Sequence, residues 1–323
     1  MKKKIDPENY VLLTGSSNPD LAQSIAKFLK KGLFNPVSRF ADGEIRVKVP
    51  ENVRRRHVYI IQPTCPPVNT SVMELILMID AIKRSSADEI TAIIPYFGYS
   101  RQDRKEMPRV PISASVVANI LTNAGADRIL TLDIHSEQAQ GFIKQAWDNL
   151  YGSYALIPEL KKRKLKHAVA ASPDKGGLHR ATVYARLLGI KDIALVYKER
   201  DIKLNDTSKA MAMIGDVDGR DVLLVDDMIA SGGTIVHAAE YLKQRGAKRV
   251  IVCTTHGLFS GDALQIIQKS SIDEVIATDT IPAQEKERGV TKISRVSIAP
   301  LLARAILKLE SGESISKELI LNT

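Results

Sequence analysis

The chain of 323 residues is predicted to be an α/β protein of two tandem domains, each a mainly parallel sheet with helices on both faces. Three observations predict it. Strand patterns alternate with helix patterns along the whole chain, the order that builds βαβ units. The strand patterns are short, continuous apolar runs such as Ile90–Ile94 and Val222–Val225. They lack the polar alternation of a half-solvated strand, so both faces of each sheet should be covered. Finally, part of the pattern recurs. Ala118, Leu121, Gly125, Ala126, Arg128 and His135 return at a constant offset as Ala239, Leu242, Gly246, Ala247, Arg249 and His256. Duplication of one α/β domain is the simplest account. The length suits about two domains, and the boundary is placed near Tyr151–Tyr154, giving domains 1–150 and 151–323.

Each element follows from its local pattern. Tyr10–Thr14 reads as a strand. Pro19 opens a helix in which Leu21, Ile25, Phe28 and Leu29 share a face. Arg39–Val49 alternates around Asp42-Gly43, a hairpin turn whose flanks expose Phe40, Asp42 and Glu44. His57–Gln62 is a strand, and Thr70–Ser85 is a helix buried through Met73, Leu75, Ile76, Ile79 and Ile82. After the strand Ile90–Ile94, the stretch from Pro95 to Pro111 is too polar for the core. It carries Arg101, Gln102, Asp103, Arg104, Lys105, Glu106 and Arg109, and a loop of that length between patterned elements is usually functional or disordered. Ser113 caps a helix that stops at Gly125, and Arg128–Asp133 is the next strand, leading to His135. In the second half, Lys198–Ser208 is charged and has no apolar period, which predicts a mobile flap. A last helix is expected at about Pro300–Leu309.

The centre of the sequence is Val222–Ile235. A buried strand ends in two carboxylates, Asp226 and Asp227. A small-residue turn follows, and then an amphipathic helix begins at Thr234. Gly232 and Gly233 let the backbone turn sharply and approach a ligand closely. Unpaired N–H groups at the helix start, with the hydroxyls of Ser231 and Thr234, suit a phosphate. The adjacent carboxylates suit sugar hydroxyls or a metal ion, so a sugar phosphate satisfies both halves of the site. His135 and Asp174 each follow a short apolar strand, and strand C-termini are where α/β sheets hold ligands.

The stretch resembles the loop with which type I phosphoribosyltransferase folds hold ribose 5-phosphate. Five further segments, Arg39–Ile45, Pro95–Lys105, Leu132–His135, Ser172–Gly177 and Lys198–Arg200, narrow the resemblance to the ribose-phosphate pyrophosphokinase (phosphoribosyl pyrophosphate synthetase) family. They stand in that family's order between about Val11 and Ile306. The resemblance implies two tandem phosphoribosyltransferase-like domains, with the last helix packed back on the first. It implies Mg²⁺-dependent transfer of pyrophosphate from ATP to the 1-hydroxyl of ribose 5-phosphate, for nucleotide biosynthesis. Asp226, Asp227, Ser231, Gly232, Gly233 and Thr234 would hold ribose 5-phosphate. Phe40, Asp42, Glu44, Arg101, Gln102 and Glu106 would hold ATP, with Arg109 in the same loop. His135 and Asp174 would lie at the metal, and Lys198, Arg200 and His135 would be catalytic. The family also implies a homo-oligomer, a hexamer built from dimers, with the nucleotide site shared between subunits. One departure stands out: Ala230 occupies a position where the family commonly has aspartate. The tail matches the family only around Ser314–Ser316, which bears on regulation by ADP and phosphate.

Composition excludes other classes. The hydrophobic fraction of 44% is ordinary for a globular protein, and no apolar run approaches the ~18 residues of a membrane span. The basic start Met1–Lys4 is followed by Asp6-Pro7-Glu8-Asn9 and no apolar core, so no leader is expected. The two cysteines, Cys65 and Cys253, read as reduced and structural in a cytoplasmic protein. The net charge of +9 suits polyanionic small molecules as well as nucleic acid. Apart from Arg54–Arg56 and Lys161–Lys164 the basic residues are scattered, and aromatics do not interleave with them, so no nucleic-acid platform is expected. The alternatives are a phosphoribosyltransferase, which would not need the Phe40–Glu44 and Arg101–Gln102 segments, and a catalytically silent regulatory relative.

Overall fold

The computed structural model describes residues 9–199 and 210–316. The chain divides into two units. Unit 1 takes the chain up to Gly152, together with Thr280–Pro282 and the segment from Ser297 on. Unit 2 takes Ser153–Asp279 and Ala283–Val296.

Unit 1 contains, in order, β1 (Tyr10–Thr14), α1 (Pro19–Leu29), β2 (Leu33–Phe34), β3 (Val37–Arg39), β4 (Ile45–Val47), β5 (His57–Ile61), α2 (Val68–Arg84), β6 (Glu89–Ile94), α3 (Ser113–Ala124), β7 (Arg128–Leu132) and β8 (Ala146–Leu150). Six strands form one sheet in the order β2-β1-β5-β6-β7-β8, and every neighbouring pair is parallel. β3 and β4 form a separate antiparallel hairpin. Val11 and Leu13 of β1 and Val58 and Ile60 of β5 join a core with Leu75, Met78, Ile79 and Ile82 of α2. Their neighbours of opposite parity, Leu12, Tyr59 and Ile61, are equally buried. Both sheet faces are therefore covered, as the continuous apolar runs required.

Local signals set the helix ends. Asn18 accepts from Leu21 N at 3.3 Å and Pro19 occupies the first turn of α1, an N-terminus built as expected. Phe28, however, is exposed rather than part of the buried face; it lies round the helix from Leu21, Ala22, Ile25 and Ala26, which do the packing. Met73 is likewise exposed, and the residue next to it, Glu74, is fully buried. Ser71, Glu74, Leu75 and Met78 share the inner stripe of α2, so the acid and not the methionine has the inward spacing. Ser113 is the first residue of α3 and not its cap. Its hydroxyl donates to Gln102 Oε1, and Gln102 O accepts from Ala114 N, so the loop before the helix supplies the cap.

Unit 2 contains α4 (Ser153–Lys161), β9 (Val169–Ser172), α5 (Leu178–Leu188), β10 (Asp192–Glu199), β11 (Ala210–Ile214), β12 (Asp221–Ile229), α6 (Gly233–Gln244), β13 (Arg249–Gly257), α7 (Ala263–Lys269), β14 (Glu274–Thr278) and β15 (Ile293–Val296). The sheet order is β11-β10-β9-β12-β13-β14-β15, parallel except for the edge strand β11. On β12, Val222 and Leu224 pack with α6 and α7, while Leu223 and Val225 pack with α4 and Tyr184 of α5. The expected flap lies mostly between β10 and β11, outside the described residues.

The recurring segment has one local geometry in both units. α3 links the neighbouring parallel strands β6 and β7, and α6 links β12 and β13. Gly125 and Gly246 follow these helices with positive φ, 122° and 90°. The next residues close the same bond, Ala126 N to Leu121 O at 3.2 Å and Ala247 N to Leu242 O at 3.1 Å, which satisfies orphan helix carbonyls.

The closing helix, α8 (Ala299–Ser311), belongs to unit 1 and packs against α1. Its Glu310 carboxylate accepts from Tyr59 Oη at 2.8 Å and lies 2.8 Å from His57 Nδ1. Burial first, and then the Glu310 charge, hold the Tyr59 hydroxyl far above its usual range. Both cysteines are buried and free, and burial pushes the Cys65 thiol up to about 11. Among the described residues no helix is long and apolar enough to cross a membrane.

Candidate active site

In an open α/β sheet, the crevice lies at the carboxyl ends of the strands where the strand order reverses. In unit 2 the chain passes from β9 outward to β10 on one side and continues as β12 to β15 on the other. The reversal falls between β9 and β12. β9 ends at Ser172 and is followed by Pro173 and Asp174, and along the end of β12 stand Asp226 and Asp227. Topology alone thus brings Asp174 and the acidic pair to one crevice.

The sequence pattern placed the strand's end before Asp226. β12 instead runs through both acids to Ile229, because Asp226, Met228 and Ile229 keep register with Thr254, His256 and Gly257 of β13. Continuing the ladder satisfies backbone groups that a loop would leave open. It also fixes the two carboxylates on rigid backbone. Asp227 N donates to Asp226 Oδ1 and Met228 N to Asp227 Oδ1, both at 2.9 Å. The Asp226 carboxyl is pushed well above the usual carboxylate range, by burial first and by the Asp227 charge second. Asp174 adds to the shift and Arg180 opposes it. Arg180, on α5, brings Nη1 within 3.9 Å of Asp227 Oδ1. Among the described residues the acids near Asp226 outweigh Arg180 in its electrostatics, an environment that favours a proton, a metal ion or hydroxyl donors.

Beside the acids, α6 begins at Gly233, one residue earlier than expected. Its N-cap, Gly232, has φ 80° and no side-chain capping bond. A Cβ at Gly233 would have no heavy atom within 4 Å, so the helix N-terminus faces open space, the arrangement suited to an anion. The turn is braced from below. Ile229 O accepts from Leu258 N and Phe259 N, and Ala230 O accepts from Ser260 N at 2.9 Å. Ala230 is half-buried in that brace.

Asp174 is exposed, and its Oδ1 accepts from Gly177 N at 2.8 Å. A Cβ at Gly177 would lie 2.6 Å from Ser172 Oγ, so the glycine there serves close packing on the strand end. His135 is in unit 1, exposed just past β7. Its repeat partner His256 is buried within β13. Among the described residues, no group of three or more His, Cys, Asp or Glu gathers around one point to hold a metal. The backbone of Lys198 pairs with Met211 in the β10–β11 ladder; its side chain and the whole of Arg200 lie outside the described residues.

The remaining predicted residues are in unit 1. Phe40, Asp42 and Glu44 are exposed at the β3–β4 hairpin tip, with the Arg46 guanidinium 5.6 Å from the Phe40 ring centre. Arg101, Gln102 and Glu106 are exposed on the loop after β6. Among the described residues no hydrogen bond or ion pair joins the hairpin tip to that loop. Two groups escaped the sequence pattern: Arg180, and the buried pair Gln62 and Glu74 with Ser16 above them. No local signal marked Glu74 as inward, because its partners Ser16, Gln62 and Arg39 are distant in sequence.

The fold and this crevice define a class, an α/β protein that gathers acids and an uncapped helix N-terminus at a strand-order reversal. Comparison with known proteins narrows it. The model for the N-terminal domain of ribose phosphate pyrophosphokinase matches residues 10–125, and that for the phosphoribosyl synthetase-associated domain matches residues 196–319. The ribose-phosphate pyrophosphokinase of Vibrio cholerae is 49% identical over 94% of this chain and 97% of its own. That of Buchnera aphidicola subsp. Schizaphis graminum is 50% identical over the same shares. The crystal structure of phosphoribosylpyrophosphate synthetase from Mycobacterium smegmatis matches with a TM-score of 0.87 at 38% identity, covering 93% of this chain and 98% of that one. The chain belongs to the ribose-phosphate pyrophosphokinase family. It is accordingly an enzyme of that class with two phosphoribosyltransferase-like domains.

Proposed function

We propose that this enzyme transfers pyrophosphate from ATP to the 1-hydroxyl of ribose 5-phosphate, giving phosphoribosyl pyrophosphate and AMP for nucleotide biosynthesis in the cytoplasm. The observation that carries the reading is the crevice of unit 2, where Asp226 and Asp227 adjoin the uncapped start of α6. Ser231, Gly232, Gly233 and Thr234 hold the 5-phosphate on backbone N–H groups and hydroxyls. Asp226 and Asp227 accept from the ribose hydroxyls and fix the sugar's orientation. Phe40 stacks on adenine, Asp42 and Glu44 accept from its amine, and Arg101, Gln102 and Glu106 line the nucleotide's path. The hydroxyl attacks the β-phosphorus in line, the bond to the α-phosphate oxygen breaks, and AMP departs. No side chain needs to form a covalent bond; positioning and charge neutralisation carry the rate. Lys198 and Arg200 close over the transferring group and stabilise its charge, with His135 beside it.

Mg²⁺ suits the residues present. It is a hard cation that retains waters and is held by one or two carboxylates plus substrate phosphates. Asp174, exposed near the acidic pair, offers such a partial set, with His135 acting through water or on phosphate. When bound, the metal supplies neutralisation of the nucleotide phosphates. The enzyme works as a homo-oligomer whose nucleotide site draws on two subunits. The test is phosphorus NMR of the purified protein with ribose 5-phosphate, ATP and Mg²⁺. Stoichiometric AMP and a pyrophosphoryl-sugar signal are expected; their absence from folded protein, even with added phosphate, overturns the assignment.

A further inference from the structure

The hairpin that carries Phe40, Asp42 and Glu44 is too small to hold itself in place. Its ladder has only the pairs Val37↔Val47, Ser38↔Arg46 and Arg39↔Ile45, and an isolated two-stranded ribbon is marginal in water. Val37 and Val47 pack on the core and fix its base. Its tip is ordered by local bonds: Phe40 N to Glu44 O at 2.9 Å, Gly43 N to Phe40 O at 3.0 Å, and Glu44 N to Asp42 Oδ1 at 3.0 Å. What sets the tip's pose against the rest of unit 1 is Arg39, which immediately precedes Phe40. Its Nη1 donates across the turn to Gly43 O at 3.4 Å. Its Nη2 donates to Glu74 Oε1 at 3.0 Å.

Glu74 is an unusual anchor. Its side chain is 0% exposed, against 46% for Arg39. An unpaired carboxylate at such a position would cost several kcal/mol. Glu74 instead accepts from Ser16 N at 3.0 Å, Ser16 Oγ at 2.7 Å and Gln62 Nε2 at 3.0 Å, besides Arg39. Gln62 is itself fixed, because its Oε1 accepts from Ser17 Oγ at 2.8 Å. Gly15 makes room for it: a Cβ there would lie 2.5 Å from Gln62 Oε1. Ser16 and Ser17 follow β1 and Gln62 follows β5, the two strands between which the strand order of unit 1 reverses. The anchor is therefore built into the rigid end of the sheet, and among the described residues Arg39 is its only cation.

We propose that Glu74 is a positioning residue for nucleotide binding, holding Arg39 and through it the Phe40–Glu44 tip in the pose that meets ATP, whichever subunit's nucleotide the tip serves. The inference rests on the nucleotide reading of that hairpin. The hydrogen-bonding inventory makes the charge essential. A glutamine at position 74 would present an NH₂ group to donors that need an acceptor, and it would lose the charge-assisted bond to Arg39.

Steady-state kinetics on five variants test it. Arg39→Met and Glu74→Gln should each raise KM for ATP on the order of tenfold, as expected for a lost charge-assisted bond that sets the pose. Neither should move KM for ribose 5-phosphate or lower kcat comparably. The double variant should be no worse than either single, because both break one linkage. Arg39→Lys should recover part of the loss. Because Arg39 is half-exposed, Arg39→Met decides the matter even where Glu74→Gln fails to fold. Phe40→Ala separates the two levels of the argument. If it raises KM for ATP while Arg39→Met does not, the anchor is overturned and the hairpin assignment stands. If Phe40→Ala leaves KM for ATP unchanged, the hairpin does not meet the nucleotide and both fall. A uniform loss in kcat and both KM values in Arg39→Met would mark a merely structural contact and also overturn the proposal.

Discussion

Two adjacent glycines should respond oppositely to the same substitution. Gly232 has φ 80°, where a β-carbon costs roughly 1–2 kcal/mol. The added atom would meet Ala263 Cβ at 3.5 Å, an ordinary contact that contributes no clash, so Gly232→Ala should destabilise by that backbone term alone. Gly233 is the first residue of α6, and a Cβ there would meet nothing within 4 Å. Gly233→Ala should stabilise by about 0.4–1 kcal/mol through the unfolded chain. The two variants should therefore differ by roughly 1.5–3 kcal/mol in urea unfolding. Ligand binding should break the opposition. Gly232→Ala strains the donors, and Gly233→Ala places a methyl where the phosphate approaches. Both should raise KM for ribose 5-phosphate on the order of tenfold, which is about 1.4 kcal/mol, and leave KM for ATP unaltered. Equal stabilities would refute the left-handed requirement at Gly232. An unchanged KM in Gly233→Ala would refute the close approach of phosphate to the helix start.

Asp226 gives a pH prediction with a definite sign. Its carboxyl is raised in the folded state, so the folded protein keeps a proton that the unfolded chain releases between the ordinary carboxylate value and the raised one. The site's contribution to stability thus falls as pH rises through that window. Asp226→Asn should flatten this part of the urea-midpoint profile and raise the midpoint at neutral pH while weakening ribose 5-phosphate binding; an unaltered profile would contradict the shift. Removing the buried carboxylate in Glu310→Ala leaves the Tyr59 hydroxyl and His57 Nδ1 without their shared partner and should cost about 1–3 kcal/mol in urea unfolding; no measurable loss would show that α8 is not anchored there. Lys198→Ala should lower kcat far more than it raises KM, and a pure KM effect would remove it from the transition state. Ala230→Asp should yield soluble protein with an unchanged fold, because the side chain is only half-buried; insoluble protein would mean that the brace to Ser260 tolerates no acid.

The class of fold was legible because it rests on patterns that burial enforces. A strand covered on both faces is apolar along its covered run, as Val222–Val225 of β12 is. The helix stops at Gly125 and Gly246 were legible for the same reason, since a positive φ selects glycine. What escaped was decided by partners distant in sequence. Nothing local to Asp226 says that the ladder with β13 continues past it. Nothing local to Met73 says that the inner stripe of α2 passes through Glu74, because the residues that accept an acid there are Ser16, Gln62 and Arg39. Arg180 escaped because its relevance comes from the approach of α5 to the end of β12. The positions of His135, Asp174 and the Lys198–Ser208 segment came from local pattern, whereas their roles drew on the resemblance.

The recurring histidines show how one connection can serve two ends. His135 and His256 occupy equivalent places after equivalent helices, and sequence treats them alike. β7 stops at Leu132, where Asp133 turns with φ 38° and accepts from Gly152 N at 3.0 Å. That stop leaves His135 outside the sheet, exposed and able to reach a ligand. β13 instead continues to Gly257 in register with β12, and the ladder that carries Asp226 and Asp227 buries His256 behind it. The loops preceding the two helices diverge in the opposite sense. Between β6 and α3 the chain runs from Pro95 to Ile112 and leaves Arg101 and Gln102 exposed. Between β12 and α6 it is only Ala230–Gly232, and the helix N-terminus itself faces the crevice. On the proposed function, the long loop would present side chains to the nucleotide and the short one backbone N–H groups to the 5-phosphate. One kind of connection, long in unit 1 and short in unit 2, thus gives the two proposed sites different reach.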